Sequence, residues 1–391
     1  MFKILTLNNI SRHGLDRLPR ERYEVASEIG HPDAILVRSH NMHSMDIPGT
    51  VKAIGRAGAG VNNIPVDKMS DRGVPVFNAP GANANAVKEL VLAGLFLAYR
   101  NICQAWDFGR SLQGDDADIH KQVEAGKKAF VGYELPGRTL GVIGLGAIGV
   151  KVANAAQQLG MKVIGYDPEI TVGSAWMLSS QVQKAATIDE LFSRCDAVSV
   201  HVPLLDATKG LVNAERIRVM KDGGVILNFS REGIVDEKAV VAALDAGKLY
   251  SYVCDFPSNL ANKHKRVIAL PHIGASTNEA EDNCAVMVVD QIMDYLENGN
   301  ILNSVNFPEV SMPRTEGCRI GIVNSNVPNM VGQISTAMAK ENLNIIDMIN
   351  KSKGDLAYTM ADVEPDISPA VIKEIASIKG VLSVRVVDQA C

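Results

Sequence analysis

The sequence predicts an α/β protein with two doubly wound parallel-sheet domains and a small C-terminal ferredoxin-like α+β module. Three observations point there. Between Thr139 and Ala269, short apolar runs alternate with helical patterns, the rhythm of a parallel sheet covered on both faces. The first hundred residues repeat that rhythm more weakly. The last 75 residues read β-α-β-β-α-β, the order of a split βαβ sandwich.

Taken in order, Phe2–Leu7, Ala34–Val37, Val51–Ile54 and Val74–Phe77 read as strands, being rich in β-branched and aliphatic residues. Ala84–Ile102 carries a long helical pattern. It ends near a polar, glycine-containing stretch from Gly109 to Gly126. The second block has strands at Thr139–Ile143, Lys162–Tyr166, Ala197–Val200, Val225–Phe229, Tyr252–Cys254 and Val267–Ala269. Helices are expected at Ala147–Leu159 and Asp236–Ala246. A second long helix, Asn278–Glu297, is expected to return the chain to the first domain, with the proline-bearing stretch Asn300–Glu316 as linker. The expected domains are therefore residues 1–100 with 278–305, residues 101–277, and residues 317–391. In the last, strands fall at Arg319–Val323, Asn344–Asn350, Ala357–Val363 and Val381–Val387, and helices at Met330–Glu341 and Pro369–Ser377.

Composition narrows the function. A net charge of -5, with 21% charged residues, gives no broad positive field, so nucleic acid is not an expected partner. The most apolar stretch, Leu90–Ala98, is too short to span a bilayer. Met1–Ser11 reads as a strand rather than a secretory leader, so a cytoplasmic protein is expected. The cysteines Cys103, Cys195, Cys254, Cys284, Cys318 and Cys391 form no CxxC pair. Free thiols explain them better than disulfides or a metal site.

Gly144-Leu145-Gly146-Ala147-Ile148-Gly149 follows a predicted strand and opens a predicted helix. Gly144 permits the tight turn, Gly146 lets backbone amides approach a pyrophosphate, and Gly149 lets helix and strand pack closely. An acidic residue is expected about 20 positions on, at the next strand end. Asp167 stands there, suited to a ribose hydroxyl and repelling a 2′-phosphate. The second domain thus reads as a Rossmann-like fold binding NAD in preference to NADP.

Ligands of such sheets sit beyond the carboxyl ends of the strands. The polar residues there are His201 and Pro203, then Ser230 and Arg231, then Asp255, then His272. An Arg231 fork can hold a carboxylate and polarise a carbonyl. His272 can take a hydroxyl proton as hydride leaves for the nicotinamide. His201 precedes Val202-Pro203, where backbone contact to the cofactor is the better use. The other six histidines read as surface or loop residues.

Gly144–Gly149, Tyr166-Asp167-Pro168, Asn228–Arg231, Ile234–Glu237 and Pro271–Thr277 together resemble the D-2-hydroxyacid dehydrogenase family. Arg56–Asn63 and Asn78–Gly81 resemble its branch that oxidises D-3-phosphoglycerate to 3-phosphohydroxypyruvate, the entry to serine synthesis. The match runs over nearly the whole chain. It implies that Arg231 binds substrate and His272 is the acid/base. Cofactor contacts would fall on Ala147, Ile148, Asp167, Val202, Thr208, Ser230, Asp255 and His272, with Gly274 in the same segment as His272. A phosphorylated substrate needs cations near the cleft. In the substrate-binding first domain, Arg56 on the glycine-rich loop is the first choice, with Ser39 and Asn78 also expected to serve the substrate. Lys127 and Lys128 come next, since the family carries basic residues just before its cofactor domain. Arg38-Ser39 ends another strand of that domain and suits a carboxylate or phosphate. The last 75 residues resemble an ACT domain, which implies a homo-oligomer (dimer or tetramer) and L-serine as effector at Asn324, Asn326 and Asn344.

Two positions depart from the family. Leu260 stands where a glutamate usually pairs with the histidine, and no acidic residue lies between Asp255 and His272. Another group, Glu232 being one candidate, or water is then expected to orient His272. Asn324 replaces a frequent histidine. Two other readings stay open: a dehydrogenase of another hydroxy acid, such as 2-hydroxyglutarate or glyoxylate, and a non-catalytic NAD-sensing protein.

Overall fold

The computed structural model describes residues 1–364 and 367–387. Two compact units form, Met1–Asn83 with Asn278–Cys391, and Ala84–Thr277. The first unit opens with β1 (Phe2–Leu7), α1 (Arg12–Leu15), β2 (Tyr23–Ala26), β3 (Ala34–Val37), β4 (Ala53–Arg56), α2 (Val66–Asp71) and β5 (Val76–Phe77). Its sheet is parallel, in the order β2-β1-β3-β4-β5. Every residue of β3 is buried, because apolar layers cover both faces. The sequence pattern missed β2, whose Glu24 interrupts the apolar run.

The central unit begins with α3 (Ala84–Tyr99), α4 (Ile102–Ser111) and α5 (Asp116–Gly126). The single predicted helix ending at Ile102 breaks at Asn101, which takes a left-handed φ of 52° that asparagine tolerates. The polar stretch expected after it is largely helical, because Asp115 caps α5 through the Asp118 amide. The sheet then follows, with β6 (Thr139–Ile143), α6 (Ala147–Gln158), β7 (Lys162–Tyr166), α7 (Val172–Met177), β8 (Gln183–Lys184), α8 (Ile188–Arg194), β9 (Ala197–Val200), α9 (Ala214–Val219), β10 (Gly224–Asn228), α10 (Glu237–Asp245), β11 (Leu249–Cys254) and β12 (Val267–Ala269). The seven strands are parallel in the order β12-β11-β10-β9-β6-β7-β8. The order reverses between β6 and β9, the switch point where such sheets bind ligands.

The first unit resumes with α11 (Asn278–Asn298), which packs on β3, β4 and β5. A four-stranded module closes it: β13 (Cys318–Ser325), α12 (Met330–Lys340), β14 (Asn344–Lys353), β15 (Leu356–Glu364), α13 (Pro369–Ser377) and β16 (Val381–Val387). Its pairing is antiparallel, in the order β14-β15-β13-β16. Ile320, Ile322, Ile334, Met338, Val371 and Ile375 share the core between this sheet and its helices. The three-part fold class expected from the sequence is the one observed.

A helix leaves its last four carbonyls without intrahelical partners. At the end of α11 the module and the segment leading into it supply partners. Arg385 donates to the carbonyls of Tyr295 (2.6 Å) and Leu296 (3.2 Å), and Arg314 to that of Glu297 (3.2 Å). Arg319 donates to Asn298 (2.9 Å), and the Tyr358 hydroxyl to Gly299 (2.9 Å). Arg319 and Asp362, both fully buried, form a two-pronged ion pair at 2.6 and 2.8 Å. The second Asp362 oxygen also accepts from the Thr315 amide and hydroxyl.

Cys103, Cys195, Cys254 and Cys284 are free thiols, as expected. Cys318 corrects that expectation, because it is disulfide-bonded. Spacing along the chain does not reveal which sulfurs meet in space. Cys391 lies outside the described residues. Among the described residues, no helix is long and apolar enough to cross a membrane.

Candidate active site and nucleotide pocket

The glycine turn is built for a close approach. Gly144 has a φ of 88°, and a Cβ there would press on the His201 carbonyl. A Cβ on Gly149 would run into the Gly144 carbonyl oxygen, so the first turn of α6 can press against the turn only as glycine. Above Gly146 there is open space. The neighbouring helices α8, α9 and α10 have their first amides capped by Thr187, Asn213 and Asp236. No side chain caps α6, so its N-terminal amides point at open space.

Asp167 ends β7 as expected. One carboxylate oxygen accepts from the Leu145 amide (2.8 Å) and the other from the Glu169 amide (2.9 Å). A cleft of about 310 Å³ opens beside it, lined by Leu145, Tyr166, Asp167, Ile170, Val182 and Lys184. The sequence pattern missed β8, which brings Lys184 to this cleft. The open turn, uncapped helix and ribose-seeking carboxylate fit a dinucleotide.

The strand ends β9 to β12 hold the other candidates. The Ser230 hydroxyl donates to the Val200 carbonyl (2.8 Å), and the Asn228 side chain braces both the Ser230 amide and the Arg231 carbonyl. Arg231 itself is exposed and donates only to its neighbour's carbonyl, leaving most of its fork open. Thr208 knits the loop after β9, donating to Pro203 and accepting from the Leu205 amide, with Val202 half-buried at its start. His201 binds the Ser199 hydroxyl through Nε2 (2.9 Å), while its Nδ1 is shut from solvent without a hydrogen bond. Burial lowers its pKa to about 4, so the ring is neutral at physiological pH.

His272 lies three residues beyond β12, exposed, with a left-handed φ of 56°. Asp255, 1% exposed, sits beneath that loop and accepts from the amides of Ile273 (2.9 Å) and Gly274 (2.7 Å). Arg231 and His272 thus follow the carboxyl ends of β10 and β12, with only β11 between those strands. No hydrogen bond between Glu232 and His272 is formed among the described residues. The imidazole instead meets the ring of Phe256.

Within the first unit, Arg38-Ser39 follow β3, Arg56 ends the adjacent β4, and Asn78 follows β5 beside it. Arg56 Nε donates to the Arg38 carbonyl (3.1 Å), and Asn78 to that of Ala59. The Ser39 amide donates to Asn8 (3.2 Å). Glu281, in the first turn of α11, pairs with the Arg38 guanidinium. Sequence reading missed that acid, since 243 residues separate the partners. In the central unit, Lys127 and Lys128 stand on the 3-10 turn after α5, and Lys127 pairs with Glu124 at 2.5 Å.

The central unit matches a family model, "D-isomer specific 2-hydroxyacid dehydrogenase, NAD binding domain", over residues 102–274. A D-3-phosphoglycerate dehydrogenase of Haemophilus influenzae is 35% identical over 85% of this chain and 80% of its own length. This chain belongs to the D-isomer-specific 2-hydroxyacid dehydrogenase family. The NAD⁺-bound 3-phosphoglycerate dehydrogenase of Entamoeba histolytica matches 78% of this chain and 98% of its own, at 27% identity and a TM-score of 0.59. The D-mandelate dehydrogenase of Rhodotorula graminis shares the fold at 24% identity and a TM-score of 0.67, over 80% of this chain and 99% of its own. As a family member the chain is an NAD-dependent oxidoreductase, and Gly144–Gly149 with Asp167 are suited to hold the cofactor. NAD, when bound, accepts a hydride.

Proposed function

We propose that the chain oxidises D-3-phosphoglycerate to 3-phosphohydroxypyruvate. The observation that carries this reading is the placement of Arg231 and His272 at the carboxyl ends of β10 and β12, two strands on either side of β11 in the NAD-binding unit. Oxidation removes a hydride from the carbinol carbon and a proton from its hydroxyl. In this reading the imidazole of His272 takes the proton, while Arg231 grips the carboxylate and polarises the forming carbonyl. The braced loop at 228–231 and the anchored loop at 273–274 support those assignments, since reacting groups need fixed placement. Arg56 serves the phosphate, with Arg38, Ser39 and Asn78 on the adjacent strand ends. Relatives named D-3-phosphoglycerate dehydrogenase, 31–35% identical over most of the chain, favour this substrate.

The test is a steady-state assay with 3-phosphohydroxypyruvate and NADH. Turnover is expected, and His272→Ala should lower kcat by about 10²–10⁴-fold. Arg56→Ala should erase the preference for the phosphorylated substrate over its phosphate-free analogue. A parent protein that binds NADH but turns over no 2-keto acid would favour an NAD sensor instead.

The last 75 residues are proposed as an ACT module that binds L-serine in a homo-oligomer. Asn324 is 1% exposed and donates to Ser325, whereas Asn326 is exposed and reaches the Gly354 carbonyl. Asn344 pairs with Glu364 at the opposite end of the sheet, so one chain does not gather the three amides. β14 is a ten-residue edge strand with an open hydrogen-bonding side. Two copies paired antiparallel along β14 would carry the partner's Asn344 to the end where Asn326 lies. A further argument for assembly is that α4 and α5 bury none of their residues while exposing Ile102 and Trp106. Equilibrium dialysis with serine, on parent and Asn326→Ala, tests the effector. A reducing cytoplasm suits the free thiols among the described residues but not the disulfide at Cys318.

A further inference from the structure

A histidine that moves protons needs its ring held at a fixed angle, and a carboxylate is the usual means. Among the described residues no hydrogen bond reaches the His272 imidazole. Its orientation is set in two other ways. The left-handed backbone at His272 is sparsely populated for a residue with a Cβ, and persists only where neighbours over-determine it. Asp255 is that neighbour, since its carboxylate fixes the next two amides. The ring then packs edge-to-face on Phe256, centroids 5.2 Å apart and planes at 63°. Such aromatic pairs contribute about 0.5–1.5 kcal/mol and prefer tilted geometries.

Phe256 is well placed for the task. It directly follows Asp255, whose amide donates to the Asn228 carbonyl (3.1 Å), and the Cys254 thiol donates to the Phe256 carbonyl (3.6 Å). One dipeptide at the end of β11 therefore governs both parts of the histidine: Asp255 its backbone and Phe256 its ring. We infer that Phe256 is the positioning residue for His272, its ring contact standing where the family's carboxylate is absent. The inference rests on His272 being the acid/base proposed above.

Packing confines the imidazole but accepts no proton, so Phe256 affects the reaction only through ring orientation. The effect belongs in kcat rather than in binding, and another aromatic ring should serve. The experiment measures kcat, KM and NADH affinity for Phe256→Leu, Phe256→Met, Phe256→Tyr and His272→Ala, with 3-phosphohydroxypyruvate. Phe256→Leu and Phe256→Met are expected to lose about 10- to 100-fold in kcat, with KM and NADH affinity within roughly threefold of the parent. Phe256→Tyr should keep kcat within about threefold. The unaltered NADH affinity certifies folding, and Phe256→Met keeps side-chain volume should Phe256→Leu prove unstable. Parent-like kcat in both aliphatic variants, with His272→Ala inactive, overturns the inference alone. Equal losses in Phe256→Tyr and Phe256→Leu overturn it too. An active His272→Ala removes the acid/base reading and this inference with it.

Discussion

The carboxyl edge of the central sheet and the face of the C-terminal sheet that grips α11 treat polar groups differently, although at the grip too Arg385 Nε is buried without a hydrogen bond. At the grip, Arg319 and Asp362 are fully buried and answer each other with two bonds, while five successive carbonyls of the α11 terminus receive donors. At the central edge, α6 starts uncapped, His201 Nδ1 is sealed off without a hydrogen bond, and most of the Arg231 fork stays open. A protein that leaves donors unanswered gives up stability at that spot. Such places mark where a ligand completes the structure, while closed networks mark where the chain is joined to itself.

The sharpest way to break this contrast is at the closed network. Asp362→Ala strands a buried guanidinium and should cost about 3–5 kcal/mol in urea unfolding. Arg319→Leu with Asp362→Leu should recover most of it, because the charges then leave together. Burial pushes the Asp362 carboxyl up, but the bonds from Arg319 and Thr315 outweigh it and hold it below its ordinary value. The pair's stabilisation is therefore complete above the ordinary carboxylate pKa and disappears as pH falls through the lowered value. A single variant within 1 kcal/mol of the parent would show that the network is not a structural joint.

At the open edge the leading effect is pH-dependent. His201 is held neutral, with its pKa near 4 rather than 6.5. Between those values the unfolded chain binds a proton that the folded one refuses. Stability should thus fall as pH drops through that window, by roughly 2–3 kcal/mol. Chemical denaturation of His201→Asn across the same window should show a flatter profile. Parallel profiles would mean that His201 is already protonated in the fold. A somewhat smaller effect is expected at the turn. Gly149→Ala drives a methyl into the Gly144 carbonyl and should weaken NAD by about 10- to 100-fold, or 1.4–2.8 kcal/mol, in titration calorimetry.

The same contrast explains what the sequence disclosed. Gly144–Gly149 and Asp167 work through short-range spacing, so strand, turn and helix could be placed before any coordinates. Arg231 and His272 could be singled out as candidates because parallel strands deliver their ends to one edge. The closed network was invisible, since Arg319 and Asp362 read as two members of ordinary strands 43 positions apart. The Arg38–Glu281 pair was hidden by a longer separation. The break at Asn101 escaped because its helical periodicity continues across the left-handed residue. Phe256 carried no sequence signal, and only its contact with His272 gives it a role.

The smallest effect sharpens the contrast at a group that belongs to both classes. The Asp167 carboxylate closes local bonds to Leu145 and Glu169, yet it faces the open cleft that also holds Lys184. Asp167→Asn keeps an oxygen acceptor for one amide and removes the charge, so the turn should survive. A 2′-phosphate would then meet no like charge at Asp167, and the nearby lysine would attract it. The ratio of NAD to NADP affinity should fall by about tenfold, or 1.4 kcal/mol, with thermal stability nearly unchanged. An unchanged ratio would assign the carboxylate wholly to the turn. A collapsed melting temperature would show that its local bonds cannot be separated from its charge.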